Sequence, residues 1–158
     1  MHSIKGNFYH PRVYELLTKH FIELRSVSPT GSTHVLSIDE LNKKKIKFWS
    51  LWENKELLGC CALTLLNNHH GEFKSIRVSH KYRGKNKGIK IIQFLIVESL
   101  KLNIKRISLE TGSGIFFKPA RDLFKKCGFL HSKPFAHYKN DLNSCYLSLK
   151  LKDLKSFF

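Results

Sequence analysis

The chain has 158 residues, of which 42% are hydrophobic and 25% charged, and 28 lysines and arginines against 12 acidic residues give a formal charge of +16. Such proportions describe one globular domain, residues 1–158, long enough to bury a sizeable core. No apolar run approaches the ~20 residues that cross a bilayer, and Met1 to Val13 lacks the apolar core of an export signal, so a cytoplasmic protein with no membrane partner is expected.

His10-Pro11 opens a helix whose apolar positions Val13, Leu16, Leu17, Phe21 and Leu24 keep helical spacing, and Ser28-Pro29-Thr30-Gly31 breaks it. Val35 to Ile38 reads as a short extended piece, after which Asp39 caps a brief helix through Leu41. Ile46 to Trp52 and Leu57 to Leu66 are predicted strands joined by an Asn54-Lys55 turn, with Gly59 marking a bulge or a close approach. Asn67 to Gly71 turns the chain into a partly buried strand carrying Phe73, Ile76 and Val78. Ile89 to Leu102 is too long for a strand and reads as a mostly buried helix stopped by Asn103. Arg106 to Thr111 is a strand broken by Gly112-Ser113-Gly114. Pro119 then starts a helix through Leu123 and Phe124, ended by Gly128. A strand begins at Phe129, residues Pro134 to Asn143 form a polar loop with two aromatics, and Cys145 to Leu151 makes the last strand. Cys60, Cys61, Cys127 and Cys145 show no Cys-x-x-Cys spacing and are expected to be free thiols, the first two pointing to opposite faces of their strand.

The positive charge fits nucleic acid, an acidic membrane surface or an anionic small ligand. Lysines are spread along the chain, only Lys43-Lys44-Lys45 forms a block, and no basic stripe interleaves with aromatics. Compositional bias plus an anionic cofactor is the better reading, and nucleic acid is not an expected partner. His69-His70 lies in a turn, and no metal-binding His or Cys spacing exists, so no metal is expected.

The stretch His80-Lys81-Tyr82-Arg83-Gly84-Lys85-Asn86-Lys87-Gly88 joins the Phe73–Val78 strand to the long helix. Two glycines let the backbone turn and a ligand come close, and a helix start presents free N–H groups to an anion. It is not a P-loop, for no Gly-Lys-Ser or Gly-Lys-Thr follows, and it lacks the third glycine of the dinucleotide fingerprint. It resembles the acetyl-coenzyme A loop of the GNAT superfamily of N-acetyltransferases, Gln/Arg-x-x-Gly-x-Gly/Ala, with Arg83 and Gly88 at its ends. Asn86 stands where the first glycine is usual, a residue that tolerates left-handed geometry.

Further segments resemble small single-domain bacterial members of that superfamily. These are Leu24-Arg25-Ser26-Val27-Ser28-Pro29, Gly71-Glu72-Phe73-Lys74-Ser75-Ile76-Arg77, Leu109-Glu110-Thr111-Gly112-Ser113, Pro119-Ala120-Arg121, Cys127-Gly128-Phe129, Pro134-Phe135-x-x-Tyr138 and Asn143-Ser144. The resemblance implies an α/β (α+β) acyltransferase fold, a central, mostly antiparallel, twisted mixed sheet flanked by helices. It implies acetyl transfer from acetyl-coenzyme A to the amine of a small molecule, amino acid or peptide. Main-chain groups of Ile76, Arg77, Val78 and Ser79 would pair with the pantetheine arm. Backbone N–H groups of Arg83, Gly84, Lys85, Asn86, Lys87 and Gly88 would hold the pyrophosphate, with Lys85, Lys87 or Lys90 near the other phosphates.

An alkylammonium of pKa ~10.4 must lose a proton before it attacks. Glu72, where many such proteins carry a glutamate, is the first choice for the base, and Glu110 could instead hold the ammonium. The tyrosine that often protonates the departing thiolate is replaced by Phe124, so Tyr138, Tyr146 or water would have to serve; a frequent asparagine is Phe117. A coenzyme A-binding module without turnover and a basic nucleic-acid-associated protein are the competing readings, and a homodimer is left open.

Overall fold

The computed structural model describes residues 1–43 and 45–151, which leaves Lys44 of the lysine block and residues 152–158 outside the described chain. Seven strands form one sheet in the order β1-β2-β3-β4-β5-β7-β6. They are β1 (His2–Lys5), β2 (Ile46–Glu53), β3 (Glu56–Leu65), β4 (His70–Val78), β5 (Arg106–Gly112), β6 (Leu130–His131) and β7 (Ser144–Lys150). The helices are α1 (Pro11–Val27), α2 (Ile38–Leu41), α3 (Lys87–Lys101) and α4 (Lys118–Lys126). Among the described residues β4 and β5 are the one parallel pair, so the sheet is mixed and mostly antiparallel, as expected. No helix among them is long and apolar enough to cross a membrane.

Two apolar cores lie on the two faces of the sheet, and strand alternation sorts residues between them. Val13 and Leu17 of α1 and Leu41 of α2 pack on Phe48, Trp52, Leu57, Cys60 and Ala62. On the other face Ile91, Ile92, Leu95 and Ile96 of α3 and Phe124 of α4 pack on Trp49, Leu51, Cys61, Leu63, Phe73 and Leu109. Cys60 and Cys61 are both buried and free, one in each core, as their adjacency on a strand predicts.

Two bulges interrupt this alternation. Leu51 pairs with Gly59 but Trp52 with Leu57, so Leu58 is the extra residue on β3. On the other edge Cys60 pairs with Arg77 and Ala62 with Lys74, leaving Ser75 and Ile76 opposite Cys61 alone. Ser75 has φ 51, a left-handed conformation uncommon for a residue with a side chain. The consequence is visible on the far edge of β4, which pairs with β5 only from His70 to Glu72. Beyond Glu72 the two strands part, while β5 continues against β7 to Gly112.

Several expectations needed correction. The edge strand β1 has no apolar alternation to announce it, since all four residues are exposed. Residues 35–37 carry no regular structure and Ile38 already belongs to α2, where an extended piece from Val35 to Ile38 was expected. Ser37 rather than Asp39 caps α2, in a reciprocal capping box with Glu40. The long helix starts at Lys87, two residues earlier than its apolar run suggests, because Asn86 at φ 57 turns the chain directly into it.

Gly59 is the close approach anticipated. A Cβ there would sit 2.2 Å from the Arg77 carbonyl oxygen and 2.6 Å from Ile91 Cδ1. Gly59→Ala is therefore expected to lower unfolding stability by about 1–3 kcal/mol, read from the urea midpoint. Gly114→Ala, where nothing lies within 4 Å, should leave the midpoint unchanged.

Candidate active site

The parting of β4 from β5 opens a cavity of about 430 Å³ through the middle of the molecule. One wall is the bulged half of β4, Phe73 to Arg77, and the opposite wall is the end of β5, Leu109 to Gly112. Phe116, Phe117, Ala120 and Phe124 close it toward α4, and His20, Leu24 and the 32–36 segment close it toward α1. Beyond Glu72 the β5-facing edge of β4 has no strand partner, so its main-chain groups are free for an extended ligand.

At the end of β4 a single 3-10 turn, His80–Tyr82, leads to Gly84 at φ 73 and Asn86 at φ 57. The N-terminus of α3 has no side-chain cap, so the first N–H groups of the helix are offered outward together with the positive end of its dipole. A Cβ at Gly84 would meet nothing within 4 Å, so a ligand can approach that backbone closely. Gly88 has a different task. It lies inside the first turn of α3, and its missing side chain makes room for Leu123 Cδ2, 2.5 Å from where a Cβ would stand, and for Val78 Cγ2 at 3.5 Å. Only its N–H can serve an anion. The Lys87 and Lys90 ammoniums are already held by Glu53, at 2.6 and 3.2 Å, and the hydrogen bond that Lys87 donates to Glu53 raises the Lys87 pKa.

The two carboxylates singled out in the sequence occupy different environments. Glu72 is buried and is not on the cavity wall. Its Oε1 accepts a 2.5 Å hydrogen bond from the Tyr138 hydroxyl and lies 3.6 Å from Lys74 Nζ. Lys74 in turn donates to the His34 carbonyl at 2.8 Å and to the Tyr138 oxygen at 3.0 Å. Burial, then the Glu72 charge, raises the Tyr138 pKa. Tyr138 thus spends its proton on Glu72 and, like Tyr146, whose hydroxyl donates to the Lys139 carbonyl at 2.7 Å, is absent from the cavity wall. Glu110, by contrast, lines the cavity, and burial pushes its pKa up to about 7, against the pull of the nearby Ser144 hydroxyl and Lys74. Phe124 stands on the wall with no proton to give, its ring edge-on to Phe129 at 5.4 Å.

Sequence reading missed several wall residues. Ser75 reaches the cavity because of the bulge, and its buried Oγ has no hydrogen-bond partner among the described residues. The Arg77 side chain turns to the α1 face and pairs with Glu23, which Arg83 also approaches at 3.8 Å. His20, on the α1 stripe, is buried on the same wall, and desolvation followed by the Arg77 and Arg83 charges lowers its pKa to about 3. A histidine at helical spacing among apolar residues was the signal for His20; a positive φ at a serine has none.

The split sheet, the helix start at its mouth and the carboxyl within make one candidate site, and sequence comparison shows the family to which it belongs. Residues 10–129 match the model of the Acetyltransferase (GNAT) family, and the chain belongs to that family. It is 41% identical over 140 residues to YsnE of Bacillus subtilis, an uncharacterised N-acetyltransferase, covering 89% of this chain and 93% of the relative. It is 36% identical over 152 residues to YedL of Escherichia coli, likewise an uncharacterised N-acetyltransferase, covering 96% of each. A GNAT family acetyltransferase from Elizabethkingia anophelis with acetyl-CoA bound shares the fold, with a TM-score of 0.69 over 94% of this chain and 97% of that one at 17% identity.

The two shifted groups on the wall pull stability in opposite directions with pH. Glu110 holds its proton up to about pH 7 when folded but only to about 4.5 when unfolded, so its contribution falls as pH rises through that interval. His20 protonates near 6.5 when unfolded but near 3 when folded, so acidification from 6.5 favours unfolding. Glu110→Gln is therefore expected to make the melting temperature fall more steeply than in the natural protein as pH drops from 6.5 to 4.5. His20→Gln should make it fall less steeply. Parallel curves for all three proteins would show that neither group is shifted as described.

Proposed function

We propose that the protein transfers the acetyl group of acetyl-coenzyme A directly to a primary amine, with Glu110 as the general base. The observation that carries this reading is a carboxyl on the wall of the β4–β5 cavity whose pKa is about 7, because a base matched to neutral pH both takes a proton and is available to take it. The names of the relatives and the acetyl-CoA held by a structural neighbour support the donor.

On this reading the pyrophosphate lies against the open backbone at Gly84 and the uncapped first turn of α3, with N–H groups up to Gly88 as donors. The pantetheine arm pairs with the free edge of Ile76, Arg77, Val78 and Ser79, which brings the thioester to the bulge. The acceptor enters from the α1 side and loses its proton to Glu110. Its nitrogen then attacks the carbonyl carbon, the carbon–sulfur bond breaks, and the second proton shed by the nitrogen passes to the departing thiolate, which leaves as the free thiol. Ser75 Oγ, buried and unpartnered on the same wall, supplies a hydrogen bond to the departing thiolate, since neither Phe124 nor Tyr138 can. Glu72 holds Lys74, which stands on the wall, and Tyr138, which stands behind it, and does not itself meet the substrate. The bacterial relatives and four free cysteines support a bacterial cytoplasmic setting. A second reading, coenzyme A binding without turnover, is favoured by Phe124 alone.

Saturating acetyl-coenzyme A should raise the melting temperature, and an amine panel should release free thiol from it; a melt shift with no thiol release from any amine would select the second reading. Glu110→Gln should then cut turnover at neutral pH by about 10²–10⁴-fold and abolish the rise in rate through pH 7, with the acetyl-coenzyme A melt shift kept. Glu72→Gln should mainly lower the melting temperature, because it strips the half-buried Lys74 of its counter-charge. The reverse pattern, turnover lost at Glu72 and kept at Glu110, would return the base to Glu72.

A further inference from the structure

The α1 side of the cavity is basic, and its donors are not used up. Arg77 sits opposite Cys60 in the β3–β4 register, and its guanidinium pairs with Glu23 of α1, so it lies on the α1 face of the sheet, away from α3. Arg83 reaches the same carboxylate, at 3.8 Å. Two guanidiniums carry ten N–H donors between them, and one carboxylate can neither satisfy these nor cancel both charges. Arg77 Nε is buried with no hydrogen-bond partner among the described residues. His20 is only 7% exposed, and its buried Nδ1 is also unpartnered. All three side chains border the one cavity, whose acidic wall residue is Glu110, on β5. Buried polar atoms without partners are uncommon in native proteins and call for an explanation.

Resting on the acetyltransferase reading, we propose that this cluster receives a carboxylate of the acceptor, so that the substrate is an amino acid, its amine directed to Glu110 and its carboxylate to Arg77, Arg83 and His20. A plain amine has nothing to offer this end of the cavity and is repelled by it. An amino acid matches both ends: an anion against two guanidiniums, which bind carboxylates through paired N–H bonds, and an ammonium against a carboxyl. The other anionic source within reach is coenzyme A itself. The uncapped start of α3 and the open Gly84 backbone already provide for its phosphates, and α3 packs on the opposite face of the sheet from His20 and Glu23.

The test compares L-amino acids with their decarboxylated amines as acceptors, and N-acetyl-L-amino acids with the matching N-acetylated amines as ligands of the coenzyme A-saturated protein. The second arm reads binding by calorimetry and needs no turnover. At least one amino acid should exceed its decarboxylated amine by about tenfold or more in kcat/KM, and its N-acetyl form should bind in preference to the uncharged one. Arg77→Gln should reduce both preferences by about tenfold or more, and should reduce acetyl-coenzyme A affinity less. Arg83→Gln, at a side chain 41% exposed, provides the same comparison should the Arg77 variant not fold. Amines equal to or better than their amino acids, preferences unchanged in the variants, or no carboxylate-bearing ligand bound at all would each overturn the proposal. A loss of acetyl-coenzyme A affinity as large as the loss of carboxylate preference would assign the arginines to the cofactor's phosphates and overturn it too. Failure of the acetyltransferase reading would look different: no melt shift with acetyl-coenzyme A and no thiol release, whatever the carboxylate ligands do.

Discussion

Ser75 holds a conformation that side chains avoid, and the cavity depends on it. A bulge places two residues of one strand opposite one of its neighbour and sharpens the local twist. In β4 it comes after Glu72, the last residue paired to β5, and from there the strands diverge. One strand therefore has two functions. Up to Glu72 it ties the halves of the sheet together; after Ser75 it offers a ladder edge with no strand on it. The left-handed backbone at Ser75 costs free energy, and the pairing of β3 with Arg77 and Val78 on the other edge holds it in place.

The elements were legible in the sequence because each obeys a local rule. Apolar spacing gave α1 and the long helix, Asn54-Lys55 gave the first hairpin, and Pro119 and Gly128 bracket α4. The miss at β1 is equally physical, for a short exposed edge strand buries nothing and so carries no pattern. The turn into α3 was legible too, Asn86 taking a left-handed φ that asparagine tolerates. The roles within the site were harder to read. Glu72 and Glu110 are both strand carboxylates among lysines, and sequence contains no measure of which one faces the cavity. Tertiary packing decides it: Lys74 and Tyr138 close over the first, and the second is left on the wall. Gly88 shows the same limit, since a phosphate-loop glycine and a packing glycine are one letter.

A polar group joins the cavity wall, at Lys74 and His34, to the buried side chains behind it. Glu72, Lys74 and Tyr138 share short contacts, with His34 edge-on to Tyr138 at 5.0 Å and Phe135 at 4.9 Å. Buried charge pairs seldom add much stability over apolar residues of the same shape, but breaking one is costly. The group draws on β4, the 32–36 segment and the 134–143 loop, so it fixes two irregular segments against the strand that forms the cavity. Irregular chain without helix or sheet pairing needs such anchors if the walls of a site are to keep their shape.

Cys60 and Cys61 give the two layers of the molecule separate chemical identities. Burial pushes the Cys60 thiol up to about 12 and Cys61 well above the usual range, so neither reacts while its core is closed. They are neighbours in the chain, yet one is sealed by α1 and α2 and the other by α3 and α4. A thiol-trapping reagent therefore meets two clocks set side by side on one strand, each started by a different door. Which one runs first under mild heating tells whether the α1–α2 side or the α3–α4 side of the sheet is the looser half, without any label being added to the protein.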